Sequence, residues 1–297
     1  MTAPVRVLSV GHVTHDVYPE GIVPGGCAYY GARVYEALGA QSSLFTAVGD
    51  DFRCQAEIQH LVADCTTSGA TTCFRNVYPP NSVRVQRVDA QGPMIAAPGS
   101  MSGYDVVHLA PVMNEVNLGD WVQSIETSVC AISVQGWIKK AGAPFRESYP
   151  DLEEHGPESA RSVVQVPWTP DEADLRRVGI ASLGAEDLVG QGDLLERLIR
   201  NIPVVACTHG TAGADVYIDG RPRRVGIYPA TEVDPTGAGD TFAAGFIYGV
   251  SRGDDPVRAA CLGAAAAAIV VEGVGGQTIG DIRDGVADRV DAIYRAL

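Results

Sequence analysis

Asp234-Pro-Thr-Gly-Ala-Gly-Asp240 runs without interruption into Thr241-Phe-Ala-Ala-Gly-Phe246, and the reading of the chain turns on this stretch. A glycine-rich turn that opens directly into a helix brings backbone N–H groups and the positive end of the helix dipole to one point. That geometry binds a phosphate or stabilises negative charge that develops in a transition state. Gly237 and Gly239 allow close backbone approach because they carry no Cβ. Asp240 stands at the start of the helix, where a carboxylate is a poor phosphate ligand. It is a good base for a hydroxyl that attacks a phosphoryl group. From the turn alone, Asp240 reads equally well as an ordinary first-turn acid.

Outward from this turn, short apolar runs alternate with helix-length polar segments. Val5 to Val10 and Ser43 to Val48 read as strands, with a helix from Ala28 to Leu38 between them. Further strand patterns stand at Val106 to Leu109, Val129 to Val134, Gly179 to Ser182 and Val204 to Thr208. Such runs predict an α/β fold with a mainly parallel sheet covered on both faces. Ala214 to Ile218 and Arg224 to Tyr228 flank Asp219-Gly220 as a late hairpin. Thr241 to Val250 and Pro256 to Val271 then read as helices, the second opened by Asp254-Asp255. Thr71 to Val77 and Ser82 to Val88 alternate with period two around Pro79-Pro80-Asn81, an earlier hairpin. Gly142 to Ser162 has three prolines and no periodicity, and reads as an exposed loop or a poorly ordered excursion. One α/β domain over residues 1–297 is expected, with a small β element from about 12–26 and 70–90.

Composition narrows the function classes. Acidic residues number 36 against 22 basic ones, a formal net charge of −14. That field repels a nucleic-acid backbone, so no nucleic-acid partner is expected. Only Lys139 and Lys140 are lysines, and neither stands in the Gly-x-x-x-x-Gly-Lys setting of a P-loop. The longest apolar stretch, Ala264 to Val271, is far short of the roughly 20 residues of a membrane span. Met1 to Val10 lacks the basic and long apolar regions of a secretory signal. Seven scattered cysteines with no Cys-x-x-Cys pair do not suggest a disulfide framework. These readings predict a reduced, soluble, cytoplasmic protein without a membrane partner. His12 and His15 lie in an extended segment that does not put both rings on one face, so a metal cluster is not expected there. No Gly-x-Gly-x-x-Gly follows the first strand, which argues against a dinucleotide enzyme.

Asp234-x-Thr-Gly-Ala-Gly-Asp240-Thr-Phe resembles the C-terminal signature of the ribokinase-like (PfkB) carbohydrate kinases. Gly25-Gly26, the helix to Leu38-Gly39-Ala40, and Val48-Gly49-Asp50-Asp51 resemble the N-terminal signature of that family, in the same order. Thr208-His209-Gly210-Thr211-Ala212-Gly213 resembles its Thr-x-Gly-x-x-Gly nucleotide segment. The resemblance runs from Val7 to about Gly276. It implies a ribokinase-like three-layer α/β/α sandwich with a small β lid, and Mg-ATP-dependent phosphorylation of a hydroxyl group. Asp240 is then the catalytic base, and the backbone of Gly237, Ala238 and Gly239 the anion hole. Asp16, Gly25, Gly26 and Tyr30 are implied at the substrate. Thr208, Gly210, Gly213 and Thr236 are implied at ATP, with the helix from Pro256 walling the adenine.

The resemblance also implies cations. Asp234 and Thr236, with the backbone of Val274 to Gly276, resemble a monovalent-cation site for K+. Ser182-Leu-Gly-Ala-Glu186-Asp187 resembles the Asn-x-x-Glu magnesium motif of the family without its asparagine. Glu186 therefore either orients metal-bound water for Mg2+ or is a plain first-turn acid. Tyr30 stands where the family often has asparagine, which argues against a furanose-type contact. Val48-Gly-Asp-Asp-Phe52-Arg53, Val233-Asp234-Pro235 and Ile132-Ser-Val-Gln135 resemble the myo-inositol kinase branch. The expected acceptor is a small sugar or cyclic polyol, myo-inositol foremost. A ribose or nucleoside kinase, and a non-catalytic nucleotide or sugar sensor, are the alternatives. Arg75, Arg84 or Arg87 of the early hairpin could meet substrate on lid closure. A short lid suits either a monomer or a lid-mediated homodimer.

Overall fold

In the computed structural model, residues 3–67, 69–77, 85–126, 128–145 and 157–297 are described. The first half carries β1 (Arg6–Val10), β2 (Thr14–Tyr18), β3 (Gly21–Gly25), α1 (Cys27–Ala37), β4 (Gln41–Val48), α2 (Gln55–Ile58), β5 (Val62–Thr67), β6 (Cys73–Val77) and β7 (Val85–Ala90). Then follow β8 (Val106–Leu109), α3 (Leu118–Ser124), β9 (Val129–Ser133), β10 (Lys139–Pro144), β11 (Arg161–Gln165), α4 (Glu172–Leu175), β12 (Ile180–Gly184) and α5 (Leu194–Asn201). The chain closes with β13 (Val204–Thr208), β14 (Ala214–Ile218), β15 (Arg221–Val225), α6 (Ala238–Ser251), α7 (Pro256–Val270) and α8 (Ile282–Arg295).

Among the described residues, nine strands form the main sheet in the order β15-β14-β13-β12-β9-β8-β1-β4-β5. From β13 to β5 every neighbouring pair is parallel, and β14 and β15 add antiparallel edge strands. The continuous apolar runs have a simple cause, since alternate residues of each strand enter different cores. Val7, Val106, Ala131 and Ala206 pack toward α1, α6, α7 and α8. Leu8, Val107, Ile132 and Val205 pack toward Trp121 of α3 and Leu194 and Leu198 of α5. A strand buried on both faces has no polar side to show, so period-two alternation disappears. This is the expected three-layer α/β/α sandwich. Among the described residues no helix is long and apolar enough to cross a membrane.

The second sheet is larger than its sequence signal. Six strands run in the order β10-β11-β7-β6-β2-β3 among the described residues, and the early hairpin is the β6–β7 pair. The turn Pro79-Pro80-Asn81 lies outside the described residues. Residues 142–144 and 161–162, read as loop, belong to β10 and β11, which pair with each other, β11 also pairing with β7. They carry little periodicity because this margin of the lid is only partly buried. The middle of that segment, 146–156, lies outside the described residues. The late hairpin also differs: its second strand is Arg221–Val225, three residues earlier than Arg224. Asp219 and Gly220 both have positive φ, 46° and 79°, and close a two-residue turn that pairs Ile218 with Arg221.

Candidate active site

A cavity of about 700 Å³ lies between the lid sheet and the main sheet. Main-sheet segments reach it from the carboxyl ends of parallel strands: Val112 beyond β8, Gln135 beyond β9, Gly184 to Glu186 at β12, and Thr208 to Gly210 at β13. Ligands of open α/β sheets bind at that edge, where loops diverge and helix N-termini converge. The lid contributes Thr14, Asp16, Phe74, Asn76, Gln86 and Lys139.

Asp16 sits on β2 opposite Val23 of β3 and is buried, 6% exposed. Thr14 Oγ1 donates to Asp16 Oδ1 at 2.8 Å, which fixes the carboxylate toward the cavity. Gly25 is needed for a reason other than close approach to substrate. A Cβ there would stand 2.3 Å from the Asp16 carboxyl carbon, so the glycine makes room for the acid and lies behind it. At Gly26, which does line the cavity, a Cβ would meet the His12 carbonyl oxygen at 2.4 Å.

Tyr30, one turn into α1, joins this side of the cavity to the glycine turn. Its ring occupies the space that a Cβ on Gly237 or Gly276 would need, at 2.3 and 2.8 Å. Gly237 also has φ +81°, so both its backbone conformation and its neighbour exclude a side chain. Among the described residues the buried Tyr30 hydroxyl has no hydrogen-bond partner, and Tyr30 lines the cavity. Burial first, and then the carboxylates of Asp16, Asp240 and Asp234 around it, push its pKa well up, so it stays a neutral O–H donor.

Gly237 caps α6, and Gly239 and Asp240 fall in the first turn facing the cavity. The Ala238 N–H donates to Pro235 O at 3.2 Å, so this member of the expected anion hole is partly used within the turn. Cys27, the first residue of α1, lies against Asp240. Burial and then that carboxylate raise its thiol pKa well above the ordinary value, and its Sγ donates to Gln135 Oε1 at 3.6 Å.

Thr208 and Gly210 line the same cavity and also a second, contiguous cleft of about 260 Å³. Gly213, Tyr228, Phe242, Ala264 and Ala268 line that cleft, whose walls are largely apolar. His209 lines the main cavity, with Nε2 2.9 Å from Asp215 Oδ2. Glu186 faces the cavity, whereas its neighbour Asp187 accepts from the Gly184 N–H at 2.9 Å. Burial raises the Asp187 pKa, as expected for an acid committed to structure.

Thr236 lines the cavity, and Asp234 stands behind it. The Asp234 carboxylate accepts from the Thr236 N–H at 2.9 Å, the Gly275 N–H at 3.0 Å and the Tyr18 hydroxyl at 3.1 Å. His12 and His15 are held by separate structural bonds, His12 to Thr72 and Pro93, His15 to the Arg53 N–H. Sequence reasoning missed Cys27, Asn76 and Gln86 as lining residues, and took Lys139 only as a rarity. The signal for Asn76 was available: it shares the inward face of β6 with Phe74, and Gln86 is its cross-strand partner.

Comparison with known proteins agrees with this geometry. Residues 181–282 match the family described as pfkB family carbohydrate kinase. The chain is 28% identical over 287 residues to inositol 3-kinase of Oryza sativa subsp. japonica, covering 91% of this chain and 69% of that one. It is 27% identical over 268 residues to cytidine kinase of Thermococcus kodakarensis, covering 82% and 88%. Among solved structures, the nucleoside kinase of Methanocaldococcus jannaschii superposes with TM-score 0.71 at 20% identity, covering 96% and 98%. A pyrophosphate-dependent kinase in the ribokinase family, complexed with a pyrophosphate analog and myo-inositol, gives TM-score 0.71 at 20% identity over 93% and 98%. The two structural likenesses carry the fold, and the match over residues 181–282 together with the sequence likenesses makes the chain similar to kinases of the ribokinase-like pfkB family.

Proposed function

We propose that the chain transfers the γ-phosphoryl group of ATP to one hydroxyl of a cyclic polyol, myo-inositol or a close relative. The observation that carries this reading is the opening of Asp16 and Asp240 onto one cavity that also receives the N-terminal end of α6. Asp16 accepts hydrogen bonds from acceptor hydroxyls and holds the ring. Asp240 takes the proton of the attacking hydroxyl, and the first-turn amides meet the transferring group. A wall of Thr14, Asn76, Gln86 and Gln135 suits a compound with hydroxyls all round its ring. The Tyr30 O–H, buried and without a partner among the described residues, is suited to one of those oxygens.

The apolar cleft beside Thr208 and Gly210 supports a nucleotide donor, since a base buries there as its phosphates approach α6. The residues present fit Mg2+. Glu186 offers the one carboxylate of its pair that is not a cap, and this ion commonly takes one or two carboxylates plus substrate phosphates. Bound with ATP, it would neutralise phosphate charge. Asp234 fits K+ less well. Three hydrogen bonds already use most of the roughly four acceptor positions of its carboxylate, so it reads as a brace.

Likeness to the cytidine kinase supports a nucleoside acceptor as the second reading. ADP release measured against inositols, ribose, hexoses and nucleosides separates the two. An inositol with kcat/KM at least tenfold above any nucleoside or pentose is expected. Cytidine or ribose as the best acceptor would overturn the polyol assignment.

A further inference from the structure

The two lysines of the chain part at the start of β10. Lys140 is exposed, whereas Lys139 is 9% exposed and lines the main cavity. Among the described residues lining that cavity, Lys139 is the sole lysine or arginine, against the carboxylates of Asp16, Glu186 and Asp240. A buried ammonium is costly unless it meets anions, and an acidic chain with so few lysines has placed one here. Its position is built. The turn Val134–Ile138 delivers it from β9 to the lid, and Nζ donates to Gln86 Oε1 at 3.4 Å. The Gln86 amide in turn donates to Asn76 Oδ1 at 3.0 Å, so the amine is tied to the cavity face of the lid. Its charge also reaches both ends of the cavity, where it partly offsets the burial that raises the pKa of the Cys27 thiol, which lies against Asp240, and of Asp187, next to Glu186.

We propose that Lys139 is a catalytic residue whose ammonium binds the non-bridging oxygens of the phosphoryl group in flight, delivered by the lid rather than by a phosphate loop. This rests on the kinase reading given above. The acceptor hydroxyl loses its proton to Asp240 and its oxygen forms a bond to the γ-phosphorus. The bond from that phosphorus to the bridging oxygen breaks, and its electron pair leaves with ADP. Lys139 keeps its proton throughout. Charge on the transferring group spreads over three equatorial oxygens, and a fixed cation in a water-poor cavity stabilises it more than bulk solvent does. The acidic surface elsewhere leaves anion binding concentrated at two places, the α6 N-terminus and this amine.

The test is steady-state turnover with ATP and the best polyol for Lys139→Met, Lys139→Ala, Lys139→Arg and Lys140→Met, with melting temperatures measured alongside. Lys139→Met is expected to lower kcat by about 10²–10³-fold, the usual effect of removing one transition-state donor. Acceptor KM is expected to change less than kcat. Arginine should recover at least tenfold of the loss, and added ethylammonium should partly and saturably restore Lys139→Ala. Lys140→Met should stay within twofold of the parent. Turnover of Lys139→Met within threefold of an active parent overturns the proposal, and so does an equal loss in all three Lys139 variants without amine rescue. A parent chain that releases no ADP with any acceptor overturns the kinase reading, and this proposal with it.

Discussion

Tyr30 does two jobs whose demands conflict. Its ring must fill the space beside Gly237 and Gly276, and its hydroxyl must then lie buried with no partner among the described residues. An unsatisfied buried hydroxyl typically costs about 1–3 kcal/mol, a penalty that a hydroxyl of a bound polyol would relieve. Tyr30→Phe keeps the ring and removes the conflict. The variant is therefore expected to melt at the same or a higher temperature than the parent, with acceptor KM raised about three- to thirtyfold. A lower melting temperature with unchanged KM would show that the hydroxyl serves the fold alone. Glycines at this scale were legible in the sequence as motif positions, but their reasons were not. Gly25 reads as a place for substrate, whereas it makes room for the carboxyl group of Asp16.

The glycine turn, the lid and the loop at Gly275 meet at Asp234. Tyr18 of β2 donates to it from the lid, Thr236 from the turn and Gly275 from the far loop. A hydrogen bond of this kind contributes about 0.5–1.5 kcal/mol net, and more when the acceptor is charged. Tyr18→Phe is expected to lower stability by about 1–2 kcal/mol in urea titration and to reduce kcat several-fold, because the proposed anion hole loses its tie to the lid. Replacing K+ by Na+ is expected to change kcat less than twofold. A strict K+ requirement would contradict the brace. Elements buried on both faces were legible, since runs such as Cys130–Ile132 and Val205–Cys207 leave no polar residue to misplace. The lid margin was not, because β10 and β11 are half-exposed and their pairing partners lie far off in sequence. For the same reason Lys139, at the start of β10, was hidden: which way it faces is decided by the sheet that assembles around it.

For the whole molecule, a net charge of −14 coexists with a polar cluster in the middle of the sandwich. His108 of β8 is fully buried between the Tyr35 hydroxyl and Ser133 Oγ, at 3.1 and 2.9 Å. Burial lowers its pKa from 6.5 to about 3, so the folded chain holds the ring neutral. The unfolded chain binds the proton first. Stability from this ring is therefore complete above pH 6.5 and is lost as pH falls toward 3, with a slope of about 1.4 kcal/mol per pH unit. His15, whose pKa is also lowered by burial, adds in the same direction. Urea midpoints taken from pH 7.5 down to 4.5 should fall more steeply for the parent than for His108→Gln. Parallel pH profiles would contradict the assignment. Among the described residues the lid sheet has six strands, more than the β element read from about 12–26 and 70–90, and sedimentation decides between monomer and dimer.

The central claim is that the carboxylate of Asp240, at the start of α6, takes the acceptor proton. Its most direct test is the turnover of Asp240→Asn with ATP and the best polyol, measured beside ATP affinity by calorimetry. The change keeps shape and removes the base, so kcat should fall by about 10²–10⁴-fold while ATP affinity stays within a few-fold of the parent. Turnover near that of the parent, with ATP bound as before, would contradict it.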